Sequence, residues 1–347
     1  MPSISVIMPI YNAKEYLTGA INSVLSQSVS LEIIAVDDGS TDGSRELLSR
    51  LAETDRRIKA YYNNDNRGVA AVRNFALLMS RGKYLAFCDA DDLVPEGAYA
   101  KLLSAVKGFD VAIGAYRNAY GDGSITPPIK VDRTERSTPF CSLLSVGCLW
   151  TKLISRSFVI KNRILFDASA RIGEDVIFLS ELAMHDPLCA FTNTVVYHHI
   201  HHDTAKHRSL THTYTYSAFL LHLRTRERIL KLCGQEHIGY VYRHFTPFLS
   251  DFIFLMPEGD ERREAFRLFK KHLSKFDFHK CPELFFAVVG VDINGFEQMD
   301  DAEFVEERNF TAPRDKVLVE FSAGTIGLAW ILRYFLSWFR FKLKKKA

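Results

Sequence analysis

The sequence predicts an α/β fold in which a mostly parallel sheet is flanked by helices. Four short apolar runs between Ser3 and Cys88 alternate with stretches whose apolar residues recur at helical spacing. Each run ends in a loop rich in acids, amides or glycine, and right-handed crossovers place all four loops at one edge of the sheet. Open parallel sheets bind their ligands at that edge.

The predicted elements follow one another at regular spacing. The four strands are expected at residues 3–9, 31–36, 58–62 and 84–88, because each is a short β-branched or apolar run bounded by polar residues. Helices are expected at residues 16–25, 47–51 and 69–80, between successive strands. Further along the chain, residues 98–106 read as a helix and residues 111–114 as a strand. Residues 195–203 read as a late strand with five polar residues at its end.

Composition limits the classes of protein that the chain can belong to. The 347 residues suit about two domains, and 47% apolar with 24% charged residues is ordinary for a folded core. The formal net charge of +3 is too small to indicate a nucleic-acid partner. The six cysteines form no CxxC pair, so we expect reduced thiols and no zinc site, and residues 3–10 lack the features of a signal peptide.

Three carboxylates follow the fourth strand, at Asp89, Asp91 and Asp92. Two aspartates spaced two residues apart can place oxygen ligands on one hard divalent cation, such as Mg²⁺ or Mn²⁺, together with substrate phosphates. The alternative is that Asp91 or Asp92 caps a helix beginning near Pro95. The sequence contains neither GxxxxGK[ST] nor GxGxxG, so a glycine-rich phosphate loop is not expected.

Four segments, each at a predicted strand end, resemble glycosyltransferase family 2. They are VIMPIYN at residues 6–12, VDDGSTD at 36–42, NRGVAAVRN at 66–74 and DADD at 89–92. The resemblance covers about the first 100 residues with the motifs in the family's order. It implies the GT-A fold, an inverting mechanism and a divalent metal, and each of these is an expectation for this chain.

The resemblance also implies roles for residues on the nucleotide side. Pro9 and Tyr11 would line the base pocket, with Tyr11 packing on uracil or another base. Asp38 would accept a hydrogen bond from the ring N–H of that base. Arg67 would lie near the ribose or the diphosphate, and Gly68 would permit close approach of the backbone. A core aromatic at Tyr11 and a solvated surface charge at Arg67 are the alternatives.

The metal and its ligands are likewise implied by the resemblance. Asp89 would approach the ribose and the metal, and Asp91 would bind Mn²⁺ or Mg²⁺ directly. His201, or else His202, would complete the metal shell from the end of a late strand. A polar loop of surface histidines is the alternative. The arginine that the family usually carries at this place is missing, and Lys206 or Arg208 would supply the positive charge instead.

A second chemical centre is expected at Glu174-Asp175, which opens an apolar helix. Acids at this position also suit the helix dipole, which is the structural alternative. The family resemblance makes Asp175 the general base that takes the proton of the acceptor hydroxyl, and Glu174 an orienting residue. Trp150 would stack on a sugar face or belong to the core.

We predict three regions. Residues 1–212 form the GT-A domain, with a nucleotide half at about 1–115 and an acceptor half at about 116–212. Residues 213–313 form a helical extension, and residues 314–347 form an amphipathic aromatic and basic helix. Tryptophans followed by lysines suit a helix lying on an anionic membrane surface, and a helix packed on the protein is the alternative.

The sequence therefore predicts transfer of a sugar from a nucleotide-diphosphate donor, most simply UDP-linked, to a hydroxyl group. The expected acceptor is a glycan or lipid-linked glycan of the cell surface, handled in the cytoplasm at the inner face of the plasma membrane. A sugar nucleotidyltransferase or a non-catalytic nucleotide- or glycan-binding module are the rival classes. The nucleotidyltransferase would require a glycine-rich basic N-terminal loop, where this chain has Pro9-Ile10-Tyr11-Asn12.

Overall fold

A computed structural model describes residues 1–131, 138–202, 214–278, 289, 296 and 298–305. The chain divides into two units. The first comprises Met1–His212 with Arg228–His237, and the second comprises Thr213–Glu227 with Ile238–Ala347. Lys206, Arg208 and the predicted helix at 314–347 lie outside the described residues.

In the described residues, the first unit is built on a seven-stranded sheet of order β3-β2-β1-β4-β6-β5-β7. The strands are β1 Ile4–Ile10, β2 Leu31–Asp38, β3 Ile58–Asn63, β4 Tyr84–Phe87, β5 Val111–Tyr120, β6 Lys152–Ser155 and β7 Cys189–His201. All pairings are parallel except those of β6, which runs antiparallel to both neighbours. The expected α/β class with a mostly parallel sheet is therefore confirmed.

Helices cover the sheet and bury their apolar faces against it. They are α1 Lys14–Leu25, α2 Ser44–Thr54, α3 Val69–Met79, α4 Ala98–Ala105, α5 Pro139–Leu144, α6 Arg156–Lys161 and α7 Glu174–Ala183. In α1, Leu17, Ile21 and Val24 recur at helical spacing and are fully buried against the strands. Burying each such side chain contributes about 1.5–3 kcal/mol, which fixes α1 behind the loop that follows β1.

The reversed strand β6 brings a short turn to the ligand-binding edge of the sheet. Leu85 of β4 pairs with Ile154 of β6, so the start of β6 lies beside the carboxyl end of β4. The single helical turn Leu149–Thr151 directly precedes β6 and therefore reaches the same edge as Asp89. A parallel strand at this place would have sent that turn to the opposite edge.

The described part of the second unit is helical, as expected for the extension. Its helices are α8 Tyr216–Leu232, α9 Ile238–Phe245, α10 Pro247–Leu255 and α11 Asp260–Leu273. The end of α8, from Arg228 onwards, belongs to the first unit. The sequence predicts one helix over residues 239–255, but the chain breaks at Thr246 because Pro247 has no N–H to donate and starts a new helix. Among the described helices, none has the length and apolar character needed to cross a bilayer.

Candidate active site

A cavity of about 800 Å³ opens at the carboxyl ends of β1, β2, β3 and β4. Its polar lining residues are Tyr11, Asn12, Tyr16, Asp38, Asn66, Arg67, Asp89, Asp91, Arg171 and His202. Pro9 and Gly68 also line it. Seven of the predicted site residues therefore line one cavity: Pro9, Tyr11, Asp38, Arg67, Gly68, Asp89 and Asp91. They come from the ends of four strands, and the first and last of them are 82 positions apart in the sequence.

Asp38 holds the loop after β3 in place. Its carboxylate is buried and accepts hydrogen bonds from the Asn63 side chain at 2.8 Å, the Arg67 N–H at 2.9 Å and the Gly68 N–H at 2.8 Å. Gly68 has φ +87° and ψ 151°, a conformation that is essentially restricted to glycine. Asp38 therefore shapes the cavity wall in addition to its predicted contact with the base, and that contact stays a prediction.

The loops after β1 and β2 are tied to each other beside Tyr11. The Asn12 N–H donates to Ser40 Oγ at 3.0 Å, and the Thr41 N–H donates to Asn12 Oδ1 at 2.9 Å. Tyr11 is 52% exposed, so its ring is available to a ligand in the cavity and is not a core residue. An exposed aromatic ring on a fixed loop is well suited to stacking on a flat base.

The three acids after β4 have different surroundings. Asp92 is buried and accepts hydrogen bonds from Tyr197 Oη at 2.9 Å and the Ile200 N–H at 2.7 Å, with His199 Nδ1 at 3.3 Å. Asp92 therefore fastens β7 to the loop that carries the other two acids. The Asp91 side chain is 48% exposed and faces the cavity. Partial burial raises the pKa of Asp91 because it removes water from the carboxylate. The negative charge of Asp92 adds to this increase, and His202 opposes it.

Arg73 links the cavity to the second chemical centre. Its guanidinium is buried on α3 and contacts Glu174 Oε1 at 2.6 Å and Asp89 Oδ1 at 3.2 Å. Burial raises the pKa of Asp89 to about 6, and Arg73 opposes that shift while Asp92 and Asp91 add to it. Arg73 thus bridges two carboxylates on separate elements.

Glu174 and Asp175 open α7 next to the cavity but are not among the residues lining it. Burial raises the pKa of Asp175 to about 6, and the carboxylates of Glu174 and Asp89 act in the same direction. Asp175 Oδ1 accepts a hydrogen bond from the Val176 N–H at 2.8 Å. The structure therefore places Asp175 within electrostatic reach of Asp89, and its role as a base stays a prediction.

The predicted histidine ligand needs correction. His201 does not line the cavity, because its ring stacks on Tyr120 with centroids 4.7 Å apart. His202 lies there instead, with Nε2 3.8 Å from Asp91 Oδ2 and its ring 3.9 Å from that of Tyr16. In the described part of the chain, no three His, Cys, Asp or Glu side chains form a ready-made metal site.

Trp150 belongs to an aromatic cluster at the edge of the sheet. Its ring stacks on Tyr197 at 4.4 Å between centroids and meets Tyr116 edge-on at 4.7 Å. The Tyr197 hydroxyl in turn accepts the Asp89 N–H at 3.0 Å. Trp150 is partly buried and packs against the core, so the structure favours core packing over an open sugar platform.

Arg171 is a charged cavity residue that sequence reasoning missed. It lies in the segment between Phe166 and α7, which has no strand or helix periodicity to predict its direction. The one available signal was its position four residues before Asp175, since a chain leading to a predicted base must pass along the site.

Comparisons with known proteins point to glycosyltransferases. The model of glycosyl transferase family 2 matches residues 5–161. A glycosyltransferase of Haemophilus influenzae is 43% identical over 105 residues, which are 30% of this chain and 42% of the relative. The putative teichuronic acid biosynthesis glycosyltransferase TuaG of Bacillus subtilis is 47% identical over 92 residues, which are 26% of this chain and 36% of TuaG. The matches thus span about two fifths of these relatives.

Solved structures extend the likeness to most of the chain. The crystal structure of S. aureus TarS 1-349 superimposes with a TM-score of 0.63 at 18% identity, covering 92% of this chain and 91% of that one. The same TarS fragment is also known in complex with UDP-GlcNAc, with a TM-score of 0.63. At this level of identity the likeness concerns the fold, and it confirms the GT-A architecture with a helical C-terminal region.

Proposed function

Because this chain belongs to glycosyltransferase family 2, we propose that it transfers a sugar from a UDP-linked donor to a hydroxyl group of a cell-surface glycan or glycolipid. The observation that carries the proposal is the cavity that gathers Pro9, Tyr11, Asp38, Asp89 and Asp91 from separate strand ends. The UDP-GlcNAc complex of TarS supports a UDP-sugar donor, and the name of TuaG supports a surface-polymer acceptor.

In the proposed reaction, the acceptor hydroxyl attacks the anomeric carbon directly. Its oxygen forms the new bond while the bond from that carbon to the diphosphate oxygen breaks, so the configuration inverts and no enzyme nucleophile is needed. Asp175 takes the hydroxyl proton. A carboxylate with a pKa raised to about 6 is still largely ionised at neutral pH, and it is a stronger base than an ordinary aspartate.

The residues near Asp91 fit a divalent cation. Asp91 is half exposed to the cavity, Arg73 is bound to Oδ1 of Asp89, and His202 stands beside Asp91. Carboxylate oxygens suit Mn²⁺ or Mg²⁺, and such an ion would offset the negative charge of the leaving diphosphate. We propose Asp89, Asp91 and His202, in place of His201, as the residues that would hold it.

Release of UDP from UDP-sugars by the full chain tests the proposal. With Mn²⁺ and a panel of hydroxyl acceptors, wild type should release UDP from a UDP-sugar. Asp175→Asn should still bind UDP in calorimetry but should not form UDP from the UDP-sugar. Asp91→Asn should abolish metal-dependent transfer while leaving the fold intact, whereas Glu53→Gln, at an exposed acid of α2, should behave as wild type. Pyrophosphate release from a nucleoside triphosphate would favour the nucleotidyltransferase, and binding without turnover would favour the binding module.

Attachment of the predicted C-terminal helix to the inner face of the plasma membrane is a further proposal. Residues 340–346 carry five basic side chains, which attract anionic lipid. Co-sedimentation of the full chain with anionic and with neutral vesicles tests it, and equal recovery with both would contradict it.

A further inference from the structure

We propose that Arg171 binds a phosphate group inside the cavity, on the wall that leads to Asp175. This inference rests on the proposed function, because it assigns a ligand group to the same cavity. Among the described lining residues, the side chains of Arg67 and Arg171 are the two guanidinium groups, and the acids are Asp38, Asp89 and Asp91.

The acids and the arginines of the cavity are not paired with one another. The Asp38 carboxylate accepts hydrogen bonds from the end of β3 and the loop after it, and the Asp89 carboxylate forms an ion pair with Arg73. Within the described residues, neither the Arg67 nor the Arg171 guanidinium makes a hydrogen bond or an ion pair. Two unpaired guanidinium groups facing one cavity are the arrangement expected where a ligand brings its own negative charge.

The backbone that carries Arg171 is held in place. Asn74 makes two hydrogen bonds of 2.8 Å to the backbone carbonyl and N–H of Phe166. The Phe166 ring stacks on Phe178 of α7 at 4.2 Å between centroids, and Ile172 is buried directly after Arg171. A ligand that binds Arg171 therefore orders one side chain and not a loop, which lowers the entropic cost of binding.

The two arginines stand on different walls. Arg67 follows β3 beside Asp38 and Gly68, which form the proposed nucleotide side. Arg171 precedes α7, and Asp175 is four residues further along. A phosphate at Arg171 can come from the donor diphosphate or from a phosphate on the acceptor. Guanidinium binds phosphate through paired N–H donors in either case.

Calorimetry on the full chain separates these two sources. UDP and uridine are titrated into wild type, Arg171→Gln, Arg171→Lys and Lys161→Gln, and glycerol 1-phosphate is then titrated into each protein saturated with UDP. Lys161 is an exposed cation at the end of α6 that does not line the cavity, so it controls for loss of one positive charge. Because Arg171 is exposed, Arg171→Gln should melt at the wild-type temperature.

If the phosphate belongs to the donor, Arg171→Gln weakens UDP binding about tenfold, leaves uridine unchanged, and Arg171→Lys restores part of the affinity. If it belongs to the acceptor, UDP binding is unchanged and glycerol 1-phosphate binds the UDP-loaded wild type but not Arg171→Gln. Equal behaviour of wild type and Arg171→Gln towards both probes overturns the inference, as does an equal effect of Lys161→Gln. A wild type that binds no UDP contradicts the proposed function instead, and pyrophosphate alone then tests Arg171.

Discussion

Replacing Arg73 by leucine should destabilise the first unit strongly at pH 8 and less at pH 5. The Arg73 and Glu174 side chains are 7% and 11% exposed, with Nη1 and Oε1 2.6 Å apart. Two unit charges about 4 Å apart attract by about 4 kcal/mol at an effective dielectric constant near 20. Removing one partner of such a buried pair costs about 3–5 kcal/mol, because the other charge is left unpaired.

The pH dependence follows from the carboxylates that Arg73 leaves behind. Asp89 and Asp175 already have pKa values raised to about 6, and Arg73 opposes both increases. Without Arg73 these values rise further. A carboxyl group whose pKa is higher in the folded than in the unfolded state costs no stability below its unfolded pKa of about 4, and costs most above its folded pKa. The part of the loss that comes from Asp89 and Asp175 should therefore be small at pH 5, and the total loss should be lower there than at pH 8.

Urea unfolding followed by the fluorescence of Trp150, the tryptophan of the first unit, measures both losses. Arg57→Leu is the matched control, because Arg57 pairs with Asp55 at 2.7 Å but is 42% exposed. An exposed pair contributes about 0–1 kcal/mol, so this control should change little at either pH. A loss below about 1 kcal/mol for Arg73→Leu at pH 8, or equal losses at both pH values, would refute the reasoning.

Three further changes test the site. Asp175→Asn should stop transfer yet raise stability at pH 8 by about 1–2 kcal/mol, because burial disfavours the ionised form, and a lower melting temperature than wild type would contradict this. Tyr197→Phe leaves the Asp89 N–H without its partner and leaves Asp92 Oδ2 with His199 alone, so we expect a loss of about 1–3 kcal/mol and weaker UDP binding. Unchanged stability and unchanged UDP binding would be the opposing result. Gly68→Ala should lower the free energy of unfolding by about 1–2 kcal/mol, because its φ of +87° disfavours a side chain, and it should weaken UDP binding. The control Gly97→Ala, at φ +72°, should lower stability alone. Intact UDP binding by Gly68→Ala would argue against a role of the loop after β3 in holding the nucleotide.

The sheet and much of the cavity were predictable because alternating strands and helices leave little choice of topology. Pro9 and Asp38 lie at the carboxyl ends of β1 and β2, and Asp91 follows β4. These strands run side by side, so the fold itself brings the three residues to one edge. Tyr11 could be assigned to the cavity for the same reason, since it directly follows β1.

The choice between His201 and His202 could not be made from the sequence. The pairing of β5 with β7 shifts register between Ile113 and Ala115 and again before Tyr116. Such irregularities change which face of the sheet later residues point to, so the alternation along β7 cannot be counted from its start. Arg73 was equally difficult, because arginines on helices are usually exposed and the carboxylates that pair with it lie 16 and 101 residues away.

The antiparallel strand β6 has a consequence for how such enzymes diversify. It lets the residues after β5 supply part of the wall of the site while β1 to β4 keep their own connections. Insertions or replacements between Tyr120 and Leu149 can then be made outside the loops that carry Tyr11, Asp38 and Gly68. We expect exchange of this segment between relatives to give hybrids that bind the same nucleotide.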